Sequence, residues 1–254
     1  MSAILKFPSS RFFDPCSADA RIVVAVSSCL AGAPVRYDGA SKELALLRDW
    51  SDAGVELRAI CPELGAGLGV PRPPVQLIAA DGSVRARGRD DATLDVTNAL
   101  EDFAQRSVTE LQREPALCGY VWKSRSPSCG LTSTPLFDAA GTALGVGRGL
   151  QARAISAALP WLVHIEDSVL PAPLVAARFL LQCRLIFDLR RAIAADPAVL
   201  PAWHRHFLSL WEHAGFAPSL AEYSARDDWK SYAVQLNRAC ENTEAEQLLG
   251  LFVQ

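Results

Sequence analysis

Three short strand-like runs in this chain each lead into a cysteine, and that arrangement limits the folds open to it. Residues 22–27 (IVVAVS) are β-branched and apolar, and Cys29 follows at once; 55–60 (VELRAI) lead straight into Cys61; 116–123 (ALCGYVWK) lead through a Ser-Pro-Ser turn to Cys129. Short apolar runs bounded by Gly and Pro read as buried strands. Between them lie stretches of helical spacing: 40–53, through Leu44, Leu47 and Trp50, and 92–114, through Leu94, Val96, Leu100, Phe103, Val108 and Leu111. The segments 75–87 (VQLIAADGSVRAR) and 135–145 (PLFDAAGTALG) read as hairpins, 150–159 as a helix and 161–166 (WLVHIE) as a last strand. Alternating strands and helices predict an α/β fold with a largely parallel central sheet flanked by helices.

From Pro171 the pattern changes. Residues 172–195, 201–214 and 228–253 have helical character with breaks at Pro197, Pro201 and Pro218, which predicts an added C-terminal all-helical segment. The chain thus divides into an N-terminal extension (1–20), an α/β domain (21–168) and a helical segment of unknown role (172–254). Trp203, Phe207 and Trp211 recur at helical spacing, a stripe for burial against other helices or another subunit, so the tail offers a route to oligomers. His204 and His206, two residues apart, face different ways on a helix and read as surface or partly buried imidazoles rather than zinc ligands.

With 25 basic and 28 acidic residues the net charge is −3. That balance leaves no basic footprint and speaks against nucleic acid as a partner and for a small molecule. The first twenty residues lack the charged start, apolar core and cleavage site of an export signal, and 174–193 is interrupted by Arg178, Gln182, Arg184 and Asp188, so a cytoplasmic protein is expected. Seven cysteines in such a chain point to free, metal-binding or catalytic thiols rather than disulfides. Cys118 and Cys183 fall inside apolar elements and read as packing residues; Cys16 and Cys240 carry no usable context.

In a parallel sheet, Cys29, Cys61 and Cys129 all fall at the carboxyl edge, where open α/β folds bind ligands. No CxxC pair occurs and no histidine lies in residues 1–163, which disfavours structural zinc. Three thiolates without a fourth ligand better suit a 4Fe-4S cluster with one iron left unbound by protein. Such an iron acts as a Lewis acid and favours sulfur ligands. Glu63, two residues past Cys61, is placed to act as a general base, and Ser126 and Ser128 flank Cys129 with hydroxyls suited to donate to sulfur or relay a proton. The glycines of LGAGLGV lack a dinucleotide fingerprint and read as points where backbone passes close to the cluster or substrate. RYDG, 36–39, is a turn near Cys29 that leaves Arg36, Tyr37 and Asp38 open to a substrate-facing role.

The motifs SSCLAGAPVRYDG (27–39), CPELGAGLGVPRPPVQL (61–77) and KSRSPSCG (123–130), in that order, resemble the thiouracil desulfurase family over about residues 21–166. The resemblance implies an oxygen-sensitive 4Fe-4S enzyme that removes sulfur from thiolated uracil. It implies cluster ligation by Cys29, Cys61 and Cys129, an acid/base role for Glu63, and a proton-relay or substrate-orienting role for Ser126. It also implies a non-redox mechanism, in which the open iron takes the thiocarbonyl sulfur and water attacks the carbon. Departures are Gln76 where the family pattern carries a glutamate, extra residues in GRDDATLDVT that blur the place of Asp95, and Arg148 and Arg153 in GVGRGLQARAI. The leading expectation is a desulfurase of a free thiolated pyrimidine. Two alternatives stand beside it: a desulfidase of thiouridine in transfer RNA, and a non-catalytic metal- or redox-sensing protein whose helical tail binds a partner.

Overall fold

A computed structural model describes residues 21–52, 54–80, 82–215 and 229–252. The expected N-terminal extension and Cys16 lie outside the described residues. Among the described residues the chain runs β1 (Ile22–Ser27), α1 (Leu46–Asp52), β2 (Val55–Ile60), α2 (Pro62–Gly65), β3 (Val75–Ala80), β4 (Ser83–Gly88), α3 (Thr97–Gln112), β5 (Leu117–Trp122), β6 (Thr134–Phe137), β7 (Ala143–Gly147), α4 (Leu150–Ala158) and β8 (Val163–Glu166). The helices α5 (Pro173–Ala195), α6 (Leu200–His206), α7 (Leu208–Ala214), α8 (Trp229–Asn242) and α9 (Ala245–Phe252) follow.

The central sheet has the order β2-β1-β5-β8 and is parallel throughout, as expected of an α/β fold. After β1 the chain first adds β2 on one side and later β5 on the other, so the strand order reverses between β1 and β5. At such a switch point the connections leave in opposite directions and open a crevice beyond the carboxyl ends of the strands. The two hairpins do more than the sequence pattern conveys. Strand β3 pairs in parallel with β6, which joins β3-β4 and β6-β7 into a second four-stranded sheet, β4-β3-β6-β7, over its own small core of Leu77, Ala86, Val96, Leu100 and Leu150.

Two helices start later than their periodicity predicts, for local reasons. Lys42 N and Leu44 N donate to Cys29 O and Leu30 O, which draws 40–45 across the turn after β1 and postpones α1 to Leu46. Asp91 takes the Thr93 amide and Asp95 takes the Thr97 amide, so 91–96 forms turns ahead of α3. The predicted helices 201–214 and 228–253 are each broken in two, at Phe207 and just after Asn242.

Helix α5 lies against β1, β5 and β8 and carries α8 and α9 on its other side, so it is buried around much of its girth. Gly119 makes this possible: a Cβ there would stand 2.4 Å from Cys183 Sγ and 2.8 Å from a Phe179 ring carbon. Trp203, Phe207 and Trp211 are buried in the same continuous core, which answers the stripe within this chain. His204 is buried as well, stacked on Trp211, with Nδ1 3.3 Å from Tyr232 Oη. Among the described residues no helix is long and apolar enough to cross a membrane.

Arg190 fastens the tail to the sheet. Its guanidinium donates to Leu117 O and to Glu114 O (3.2 Å) and lies over the rings of Trp161 and Trp229, at 4.5 and 5.8 Å. Arg190→Ala removes two charge-assisted hydrogen bonds, each worth about 1.5–3 kcal/mol net, together with a cation–π contact. The desolvation of the buried charge offsets part of that, leaving an expected loss of about 3 kcal/mol in urea unfolding. Arg190→Lys is expected to recover less than half, because one ammonium cannot span both carbonyls.

His164 in β8 gives the fold a pH limit. Its Nδ1 accepts from Trp122 Nε1–H at 3.1 Å, and its buried Nε2 has no partner. Burial, with Arg148 adding repulsion, pushes its pKa down from 6.5 to about 4. The unfolded chain therefore binds this proton more readily than the native one. The stability at stake is complete above pH 6.5 and is lost as pH falls toward 4, about 3 kcal/mol in all. Urea midpoints across this window should fall for the wild type and fall less for His164→Gln.

Candidate active site

Strands β1, β2 and β5 end side by side at Ser27, Ile60 and Trp122, and each hands the chain to a different tight turn. Cys29 sits in the 3-10 turn Ser28–Ala31, Cys61 caps the short helix α2 with Pro62 at its first position, and Cys129 follows the Ser-Pro-Ser turn. All three line one cavity of about 500 Å³ at the switch point, and Glu63 and Ser126 line it with them. Arg36, Tyr37, Lys42, Arg72, Arg89, Lys123 and Arg125 also contribute, so cations outnumber the single carboxylate.

The loop that presents Cys129 is tied down at nearly every residue. Ser126 Oγ accepts from the amides of Ser128 and Cys129, at 3.3 and 3.1 Å, and Thr134 Oγ1 donates to Ser126 O at 2.8 Å. Two carboxylates at the end of β8 hold the flanks. Glu166 Oε1 accepts from Leu131 N (2.7 Å), Thr132 N (3.1 Å) and Ser133 Oγ (2.8 Å). Asp167 accepts from Ser124 N (2.6 Å) and Lys123 Nζ (2.8 Å). Behind the loop, a Cβ at Gly149 would fall 2.6 Å from the Ser128 carbonyl, so only glycine lets α4 start there and place its first amides on Pro127 O and Ser128 O.

Glu63 is held from two sides. Arg72 Nε and Nη2 donate to Oε2 at 2.8 and 2.6 Å, and Ser128 Oγ donates to Oε1 at 3.0 Å. Arg72 is itself spent on Gly69 O (2.8 Å) and Val35 O (3.0 Å), and its side chain is 5% exposed. The carboxylate is therefore fixed in direction at the cavity wall.

The thiols stand in a site that resists their charge. Burial pushes Cys29 up to about 11 against the pull of Lys123, raises Cys61, and raises Cys129 furthest of the three. Without a metal they are neutral, and metal binding displaces their protons. Among the described residues, no group of three His, Cys, Asp or Glu side chains is drawn together as closely as a single metal ion requires. In a 4Fe-4S cluster each cysteine sulfur would end on a different iron. Three free thiols opening on one hollow, with a fourth side left to the cavity, fit a 4Fe-4S body and not a lone zinc.

The structure places the other candidates as follows. Asp38 pairs with Arg36 at 3.4 Å and caps its own turn through the Ala40 amide, while Arg36 and Tyr37 reach the cavity wall. Asp95 binds Arg85 and Arg87 at 2.7 and 3.3 Å, away from the cavity, and pins the β3-β4 hairpin to α3. The glycines of LGAGLGV do not approach the cavity: Gly65 packs beneath Phe103 of α3, and Gly67 and Gly69 turn the loop with positive φ. Sequence reasoning missed Arg72, Lys123 and the two β8 carboxylates. The sole local signal for Arg72 is its place in the PRPP turn.

The 2-thiouracil desulfurase family model matches residues 24–167. The uncharacterized protein YbbK of Bacillus subtilis (strain 168) is 31% identical over 117 residues, 42% of this chain and 73% of that protein. Among solved structures, a [4Fe-4S]-dependent thiouracil desulfidase, TudS, is 27% identical over 62% of this chain and 98% of its own, with a TM-score of 0.49. A family match that spans more than half of the sequence and takes in all three cysteines, Glu63 and Ser126 shows that the chain belongs to the 2-thiouracil desulfurase family.

Proposed function

We propose that this family member converts a thiolated uracil and water into uracil and hydrogen sulfide, with no net redox change, at a 4Fe-4S cluster held by Cys29, Cys61 and Cys129. The observation that carries the reading is the delivery of three thiols and one oriented carboxylate to a single cavity by three adjacent strand ends. When bound, the cluster supplies an iron without a protein ligand, a Lewis acid with affinity for sulfur.

Glu63 takes a proton from the attacking water as its oxygen bonds to the thiocarbonyl carbon. Arg72 and Ser128 hold the carboxylate in place for that transfer. Ser126, whose oxygen already accepts two amides, keeps its hydroxyl hydrogen for the substrate or for a proton in transit. As the carbon–sulfur bond breaks, negative charge passes to sulfur, and Lys123, Arg36 and Arg125 stand around the cavity to stabilise it.

Anaerobic purification with iron and acid-labile sulfide counted, followed by incubation with 2-thiouracil and 4-thiouracil, tests the reading. Uracil and sulfide should appear in equal amounts without added oxidant or reductant, and the new carbonyl oxygen should come from labelled water. A preparation that binds no iron defeats the proposal. The cationic lining favours one second reading, thiouridine within RNA, because phosphates would meet Arg36, Lys42, Arg89 and Arg125. Salt-sensitive turnover of thiolated transfer RNA in preference to the free bases would select it.

A further inference from the structure

Beneath the cysteine cavity lies a buried polar pair that the proposed chemistry leaves unused. Tyr120, in the middle of β5, is fully buried, and its hydroxyl has no hydrogen-bond partner. Gln151, in the first turn of α4, is buried with both Oε1 and Nε2 unpartnered. Neither side chain lines the cavity. Their position behind it follows from the chain. Gln151 N donates to Ser128 O at 3.0 Å, next to Cys129, and Tyr120 shares β5 with the turn that ends there. Burial pushes the phenol well above its usual pKa, Cys129 and Cys61 add to the rise, and the Gln151 side chain, near enough to act on the hydroxyl although outside good hydrogen-bond geometry, pulls the other way.

An orphaned buried donor or acceptor costs about 1–3 kcal/mol, and three of them occur here in one spot. Packing alone would be served by Phe and Leu. A phenol O–H and an amide N–H are donors, and the sulfurs of the cysteines in the cavity wall are acceptors. We infer that Tyr120 and Gln151 form a donor floor that hydrogen-bonds to the cysteine sulfurs holding the cluster, seating it and raising its reduction potential. The inference rests on the cluster reading above. A hydrogen bond to sulfur stabilises the reduced, more negative state, so these are positioning and tuning residues rather than catalytic ones.

The test uses full-length protein loaded anaerobically to equal iron and sulfide content: wild type, Tyr120→Phe, Gln151→Leu and the double variant. Redox titration should give a lower midpoint potential for each single variant and a lower one still for the double. In the reduced state, Tyr120→Phe should lose a proton coupling that the wild type loses on transfer to deuterated water. Should Tyr120→Phe load poorly, 3-fluorotyrosine at position 120 keeps the shape and strengthens the donor, and the potential should rise. Potentials and couplings unmoved at full cluster content overturn the donor floor alone. Wild-type protein that takes up no iron overturns the cluster reading and this inference with it.

Discussion

Cys129→Ala is expected to fold as the wild type does and to hold no more than a trace of iron. The loop around it does not depend on the thiol, because Ser126, Thr134, Glu166 and the first amides of α4 fix its backbone. Removing one small buried side chain costs about 1 kcal/mol, well within the margin of a domain of this size. Ligation suffers far more, since two thiols cannot keep a 4Fe-4S cluster that expects three. Cys29→Ala and Cys61→Ala should give the same loss. Cys118→Ala is the control: its thiol is fully buried in β5 and donates to Val23 O at 3.4 Å, yet it does not reach the cavity, so iron content should stay at the wild-type level. Iron and acid-labile sulfide per chain, measured beside circular dichroism, decide the matter. Full iron in Cys129→Ala would remove this cysteine from the site.

What could be read from the sequence here is what depends on nearest neighbours and on one rule of topology. The runs IVVAVS, VELRAI and LCGYVW are rich in β-branched, aliphatic and aromatic residues and lead into turn-forming stretches, SCLAG, CPELG and SRSPS, so their ends are locally determined. Parallel pairing then brings those ends together, and with them Cys29, Cys61 and Cys129. What escaped the sequence depends on contacts between distant residues. Arg72 reaches Glu63 only because the 66–74 loop folds back over α2, and no periodicity in a Gly- and Pro-rich loop conveys that. Ser126 and Ser128 look alike in SPSC, but the turn directs Ser126 toward two amides and Ser128 toward Glu63. Helix α5 appears to be an appended element until Gly119 is seen to admit Cys183 and Phe179 against the sheet. The pairing of β3 with β6 has no signature in either hairpin, because parallel partners are chosen by the tertiary fold.

Glu63→Gln should keep its iron and lose turnover by about 100- to 10,000-fold, the usual contribution of a positioned general base. The substitution preserves shape and still lets one oxygen accept from Ser128, but the amide cannot take a proton from water. It also strips Arg72 of its counter-charge in a site where that side chain is 5% exposed, which adds a structural defect to the chemical one. A double variant separates the two. Glu63→Gln with Arg72→Met removes both charges, so urea stability should return toward the wild-type value while kcat stays at the level of the single variant. Glu63→Asp adds a third reading, because a carboxylate drawn back by one methylene keeps its charge and loses its reach toward Ser128 or Arg72. Its rate should fall between those of the wild type and Glu63→Gln while Arg72 remains neutralised. If Glu63→Gln turned over at the wild-type rate with the same iron content, the proton would be taken by another group. Ser126, with its free hydroxyl hydrogen, cannot be that group, because a neutral hydroxyl that already accepts two amides has no basic lone pair to offer. The ion pair between Glu63 and Arg72 would then be part of the scaffold alone.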